Sequence, residues 1–233
     1  MRRMLELFIV VLMLFTIESN ATEKFYTINV LGTELHKEPT FSSQVLFKIN
    51  VGSEIEAIKI LDGKEKRIIG EGFALEGNWI NTKINGYTGY IFSAETSAKK
   101  PEIISRQKEG NKILLFGRKI DVKSHNEKRK IGSGKNADYK EEITKYEFCT
   151  YKWSSMDGCF DHCYTSKSLT INEVYYQFIS LYAIFSSYGI RVPEFSKREG
   201  NILRFSLEMG ASTDLKIVIG EKRSFEISSS DCT

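Results

Sequence analysis

The sequence predicts a mainly β N-terminal half built as a small barrel, followed by a C-terminal α+β domain whose one helix packs on an antiparallel meander. Three observations carry that expectation. From Phe25 to Ser97 the chain runs through short apolar segments broken by Gly, Asn and Pro, the punctuation of a compact all-β unit. Further on, a single stretch, SLTINEVYYQFISLYAIFSSYGIRVP, carries helical periodicity. Behind it come NILRFSLEM, DLKIVIG and KRSFEIS, three strand-like runs joined by short turns, which is the order of an α+β domain.

In the N-terminal half, alternation shows in Ile55, Ala57, Ile58 and Ile60, and again in Trp79, Ile80, Thr82 and Ile84. GNWINTKINGYTGYIF, residues 77–92, reads as two strands folded over Asn85-Gly86, a pair suited to the positive φ angles of a two-residue hairpin turn. The helix begins with a capping box: Thr170 and Glu173 stand three apart, with Leu169 and Val174 at the staple positions. Val174, Phe178, Leu181 and Phe185 then recur on one face beside Tyr175, Ile179 and Tyr182. Gly189 stands where a left-handed C-cap belongs, with Pro193 beyond it. ITKYEFCTYKW predicts a further strand ahead of a loop rich in cysteine.

The run ELHKEPTFSSQVLFKINVGSEIEAI is similar to the opening of bacterial SH3-like domains. The matching parts are Pro39-Thr40-Phe41-Ser42-Ser43, Val45-Leu46, and Gly52 ahead of Glu54–Ile58. The closing hairpin of that family resembles GNWINTKINGYTGYIFSAET, with Gly77 and Trp79 split by Asn78, the Asn85-Gly86 turn, and Gly89-Tyr90-Ile91. Two features depart from the family pattern: Glu34-Leu35-His36 near the start, and a longer loop from Asp62 to Gly72. The resemblance, over residues 25–97, implies a five- or six-stranded barrel that binds cell-wall peptidoglycan or an envelope protein, without catalysis. Its aromatic groove implies Phe41, Trp79, Tyr87 and Tyr90 as ligand-face candidates. In a barrel this small, alternate residues also fill the core, so each stands open between the two roles.

The chain opens MRRMLELFIVVLMLFTIESNATEK, with two arginines, an apolar run from Leu7 to Phe15 and small residues ending at Ala21. That is the pattern of a cleaved signal peptide, residues 1–21; the apolar run falls short of the roughly 20 residues a membrane span takes. The expected organisation is residues 22–98 as barrel, 99–110 as linker and 111–233 as the α+β domain, in an extracytoplasmic (periplasmic or secreted) protein with no transmembrane segment in its mature chain. The net charge of +3 is too small to argue for nucleic acid, and the expected export argues further against it. Between Arg118 and Lys140, however, eight basic residues face three acidic ones, a local net of +5 centred on Lys128, Arg129 and Lys130. That segment reads as a solvated loop or as a patch for an anionic polymer.

Cys149, Cys159, Cys163 and Cys232 all lie in the last third. In an exported chain four cysteines predict two disulfides with open connectivity; the competing reading is a metal site from Cys149, Cys159, His162 and Cys163. The catalytic inventory is thin. The chain holds three histidines, His36, His125 and His162, and none follows Cys163 as a Cys/His peptidase of the cell wall requires. Zinc amidases take two or more histidines, no G-x-S-x-G elbow is present, and GSGK lacks the spacing of a phosphate loop. A lysozyme-like carboxylate pair stays open. The expectation is a binding protein with no catalytic residue, metal or cofactor; a peptidoglycan hydrolase and a secreted effector or adhesin are the alternatives.

Overall fold

The structure is a computed structural model that describes residues 23–105, 112–130, 134–186, 189–208 and 212–232; the predicted signal peptide lies outside them. In chain order the N-terminal half holds β1 (Lys24–Thr27), β2 (Thr33–His36), β3 (Val45–Ile49), β4 (Glu54–Ile60), β5 (Glu65–Gly70), β6 (Phe73–Gly77), β7 (Trp79–Ile84), β8 (Tyr87–Phe92) and β9 (Thr96–Ser97). The chain continues through β10 (Pro101–Ser105), β11 (Lys112–Phe116), β12 (Lys119–Lys130), β13 (Asn136–Tyr146), β14 (Thr150–Met156) and β15 (Cys159–Ser166) to the helix α1 (Ile171–Tyr182). After it come β16 (Ile184–Ser186), β17 (Gly189–Arg191), β18 (Glu194–Glu199), β19 (Ile202–Ser206), β20 (Ser212–Ile219) and β21 (Phe225–Cys232).

The N-terminal half forms a seven-stranded antiparallel sheet in the order β3-β2-β8-β7-β4-β1-β9. It does not close: β3 and β9 remain edges, and a single residue pair, His36 opposite Tyr90, joins β2 to β8. The Asp62–Gly72 segment, predicted as a loop, carries strand β5, which pairs with β6 as a separate hairpin outside that sheet. That hairpin packs against the other half of the molecule. Phe73 meets the rings of Tyr175 and Phe195, and a Cβ at Gly70 would sit 2.1 Å from the Phe195 ring, so only glycine permits the contact. The predicted Asn85-Gly86 turn is present, with φ of 51° and 85°.

The C-terminal half is an eight-stranded antiparallel sheet, β12-β13-β14-β15-β21-β20-β19-β18, with α1 packed on one face. The predicted meander is β19-β20-β21, and the capping box forms as the sequence indicates: Thr170 accepts from the Glu173 N–H while Glu173 accepts from the Thr170 N–H. The helix stops earlier than its apolar periodicity suggests. Ala183 is extended, with ψ of 132°, and Ile184–Ser186 turns back to pair with Gly189–Arg191. Phe185 therefore reaches the core from a strand, and Gly189 takes its positive φ in a hairpin instead of a helix cap.

The predicted basic loop is also a strand. All twelve residues of β12 are exposed, and it forms the outer edge of a long ribbon with β13. A further strand, Pro101–Ser105, lies in the predicted linker and pairs with β11. The larger of two cores spans both halves: Ile28, Phe73, Leu75, Trp79 and Phe92 belong to the same buried cluster as Leu114, Phe116, Phe178, Leu203, Ile217 and Ile227, while a smaller one around Leu35, Ile55, Ile80 and Ile91 lies within the N-terminal sheet.

Two buried carboxylates connect that core. Glu95, 2% exposed, pairs with Arg67 and accepts from the Tyr176 hydroxyl of α1. Glu173, 3% exposed, accepts from Ser97 at 2.5 Å and from Lys99 at 3.2 Å while it caps the helix. Removing one partner of such a group strands the other in a poor solvent, a loss of about 3–5 kcal/mol. Glu95→Ala is expected to lose that much stability in urea. Because the halves share a core, tryptophan fluorescence and far-UV circular dichroism of the wild-type protein should report one coincident transition in urea.

Cysteine pairing differs from the expectation of two bridges. Cys159 and Cys232 lie directly opposite on β15 and β21 and form a disulfide, while Cys149 and Cys163 are thiols. Cys149 is buried beside Gln177 of α1, whereas Cys163 stands between Lys152 and Ser228 on the sheet's other face; the sheet separates them. The bridge spans 73 residues, for which chain entropy alone gives about 4 kcal/mol, so Cys232→Ser should lower the melting temperature clearly. Burial, with Glu226 beside it, pushes the Cys163 thiol up to about 11. Its alkylation at pH 8 is expected to run roughly a hundredfold slower than that of an ordinary thiol, read by mass spectrometry of the native protein.

Candidate ligand-binding site

The four aromatics implied by the resemblance do not converge. Trp79 is 3% exposed and packs on His36, Phe41 and Phe92 at 5.1–5.7 Å between ring centres. Phe41 is half-buried over Trp79 and Phe92, and the Arg67 guanidinium lies 4.8 Å from its ring. The Phe41 and Phe92 rings thus form the apolar seat of the Arg67 guanidinium. Tyr90 packs on the same core, while Tyr87, 56% exposed, meets Phe47 on the opposite face of β8.

The three central basic residues are divided as well. Arg129 pairs with Glu127 at 2.5 Å and lies 3.3 Å from the centre of the Tyr139 ring. Strand alternation puts Lys128 and Lys130 on the other face, with Lys128 opposite Asp138.

A denser gathering of chemistry lies on β14 and β15. The two strands are joined by Asp157-Gly158, with φ of 52° and 80°, the chemistry of a two-residue hairpin turn. Their period of two puts Tyr151, Trp153, Phe160, His162 and Tyr164 on one face, toward α1. Aromatic residues favour such a pleated, half-covered surface. Tyr151 stacks on Tyr164 at 4.4 Å, and Trp153 on Phe160 at 6.2 Å. Trp153 and Phe160 remain half-buried and lie outside the hydrophobic core.

Beside this strip, past the last turn of α1, opens a cleft of about 250 Å³ lined by Tyr151, His162, Tyr164, Tyr182 and Asp231. The Tyr151 hydroxyl lies 2.8 Å from His162 Nδ1, and His162 Nε2 lies 3.7 Å from Asp231 Oδ2. If Tyr151 donates, Nδ1 accepts and the imidazole N–H faces the carboxylate. Burial pushes the Tyr182 phenol well above its ordinary value, so it stays a hydroxyl. Its oxygen and Asp231 Oδ1 are closed off from solvent with no hydrogen-bond partner of good geometry among the described residues.

The competing metal reading of the cysteines fails on geometry. Cys159 is bridged to Cys232, and alternation puts His162 and Cys163 on opposite faces of β15. Among the described residues no three His, Cys, Asp or Glu side chains gather as a metal site, and no helix is long and apolar enough to cross a membrane. The ring strip spans the predicted strand ending at Trp153 and the stretch SSMDGCFDHCYT, which its cysteines mark as a loop and which the structure shows as a hairpin. Its Asp-Gly pair, flanked by alternating aromatics, was the signal for a hairpin. Comparison of the chain with protein-family models, with curated proteins and with solved structures finds no match.

The two tryptophans of the chain therefore have separate roles. Trp79→Ala should destabilise the fold by about 3–5 kcal/mol as a large core truncation. Trp153→Ala should cost less than half of that. Urea melts of the two variants, followed by circular dichroism, make the comparison, and equal losses would put Trp153 in the structural core.

Proposed function

We propose that the chain is an exported, non-catalytic binding protein of the cell envelope that holds a wall saccharide on the β14–β15 ring strip. The observation that carries this reading is the placement of Trp153 and Phe160, two large rings left half-open beside a polar cleft. Flat apolar rings next to hydrogen-bonding groups suit the mixed C–H and hydroxyl surface of a sugar ring. The signal-like N-terminus, the Cys159–Cys232 bridge and the resemblance of residues 25–97 to bacterial SH3-like domains support export and a wall ligand. On this reading the N-terminal aromatics brace the fold, and the C-terminal sheet carries the ligand.

The test is retention of the protein, residues 22–233, on purified peptidoglycan. Wild type should be retained, and Trp153→Ala should bind at least tenfold more weakly, as expected for a central aromatic contact of about 1.4 kcal/mol or more. Tyr87→Ala, on the opposite sheet, should bind like wild type. No retention of wild type, or retention unchanged by Trp153→Ala, would sink the reading. A zymogram on the same material, if it showed clearing, would replace it with the hydrolase alternative.

A further inference from the structure

The cleft beside the ring strip has a narrower chemistry than aromatic contact alone. Asp231 Oδ1 is closed off from solvent without a hydrogen-bond partner among the described residues, the Tyr182 hydroxyl has only Ser229 beside it and no bond of good geometry, and both residues line the cleft. An unpaired carboxylate oxygen held away from water is costly, and a hydrogen-bond donor relieves that cost, a charged donor most of all. The rings of Tyr151, Tyr164 and Tyr182 enclose the same space, and aromatic faces attract cations. An anion finds the opposite: Asp231 repels it, and no Lys or Arg lines the cleft among the described residues. A bare divalent ion lacks a set of three His, Cys, Asp or Glu ligands among the described residues.

We infer that the cleft takes a primary ammonium group carried by the ligand that lies along the ring strip. An ammonium brings three donors, enough to serve both Asp231 Oδ1 and the Tyr182 oxygen while its charge rests against the tyrosine rings. The inference builds on the strip being the ligand face, and adds what the ligand must carry at its end. Two sources in a wall polymer offer that group: an amino sugar lacking its acetyl group, and the side-chain amine of a peptide residue.

Isothermal titration of residues 22–233 with three probes separates them: a glucosamine tetramer, the same tetramer fully N-acetylated, and Nα-acetyl-lysine amide. Wild type should bind one of the two amines at least tenfold more tightly than the N-acetylated tetramer, and which amine it favours identifies the source. Asp231→Asn should reduce that preference to under threefold. Tyr182→Phe, which keeps the ring, should weaken amine binding at least threefold. Amide NMR spectra that match wild type outside the cleft establish that both variants are folded. Absence of an amine preference in wild type, or a preference that survives Asp231→Asn, overturns the inference. If peptidoglycan still retains the protein through Trp153 while amine and acetylated probes bind alike, the ammonium inference falls and the wall-binding reading stands. If the Asp231-dependent preference appears without retention on peptidoglycan, the wall-binding reading falls and this one stands.

Discussion

One carboxylate, Glu173, holds the two halves of the molecule in register. It accepts from the backbone N–H of Thr170 at 2.6 Å, from the Ser97 hydroxyl at 2.5 Å and from Lys99. A carboxylate this deeply buried is tolerable only when its oxygens are saturated by donors. Neither side can supply them alone: the helix offers its own cap, and the segment after β9 offers the hydroxyl and the ammonium. Glu95, on the turn just before β9, repeats the arrangement with Arg67 and Tyr176. Both ends of this short segment are thereby tied to α1, which fixes where the β5–β6 hairpin lies and lets Phe73 reach Tyr175 and Phe195. The shared core follows from that docking.

Half of this arrangement was legible in the sequence. Thr170 and Glu173 at capping-box spacing mark a helix start because their partners are three residues apart. Ser97 lies 76 residues from Glu173, and no local pattern encodes such a pairing. The same distinction explains the rest. The alternation of β4, β7 and β8 and the Asn85-Gly86 turn are local and were readable. The docking of the β5–β6 hairpin was not, because its partner, Phe195, lies beyond the helix. Trp79 shows the difficulty most clearly. A large aromatic beside a hairpin turn reads equally well as a ligand contact or as core, and only the positions of Phe41, Phe92 and Arg67 decide it.

The helix end shows how a local misreading concealed the candidate site. Apolar periodicity continues through Phe185, yet the backbone turns extended at Ala183. Each helical residue adds about 1.5 Å, so the three residues to Phe185 would have carried α1 about 4.5 Å further, past the Leu181 and Tyr182 side chains that line the cleft. Ending at Tyr182 leaves that part of the sheet face without the helix above it, and puts the Tyr182 hydroxyl at its edge. A helix ending and an aromatic hairpin, separate in the sequence, together define the site.

The disulfide completes the argument from below. Cys159 and Cys232 sit opposite each other at the ends of β15 and β21, and the next pair inward is Phe160 with Asp231. Without a covalent link, the outer end of β21 would be held to β15 by backbone pairing alone, which opens most readily at the end of a ladder. Fraying there would draw Asp231 away from His162 and Tyr182 and separate the carboxylate from the ring strip. The bridge therefore holds the register of the cleft as well as adding stability, and a ligand meets a site whose charged group is already in place. Preorganisation of that kind lowers the ordering cost of binding. It also gives a physical reason for a cysteine to stand next to the carboxylate that lines the cleft.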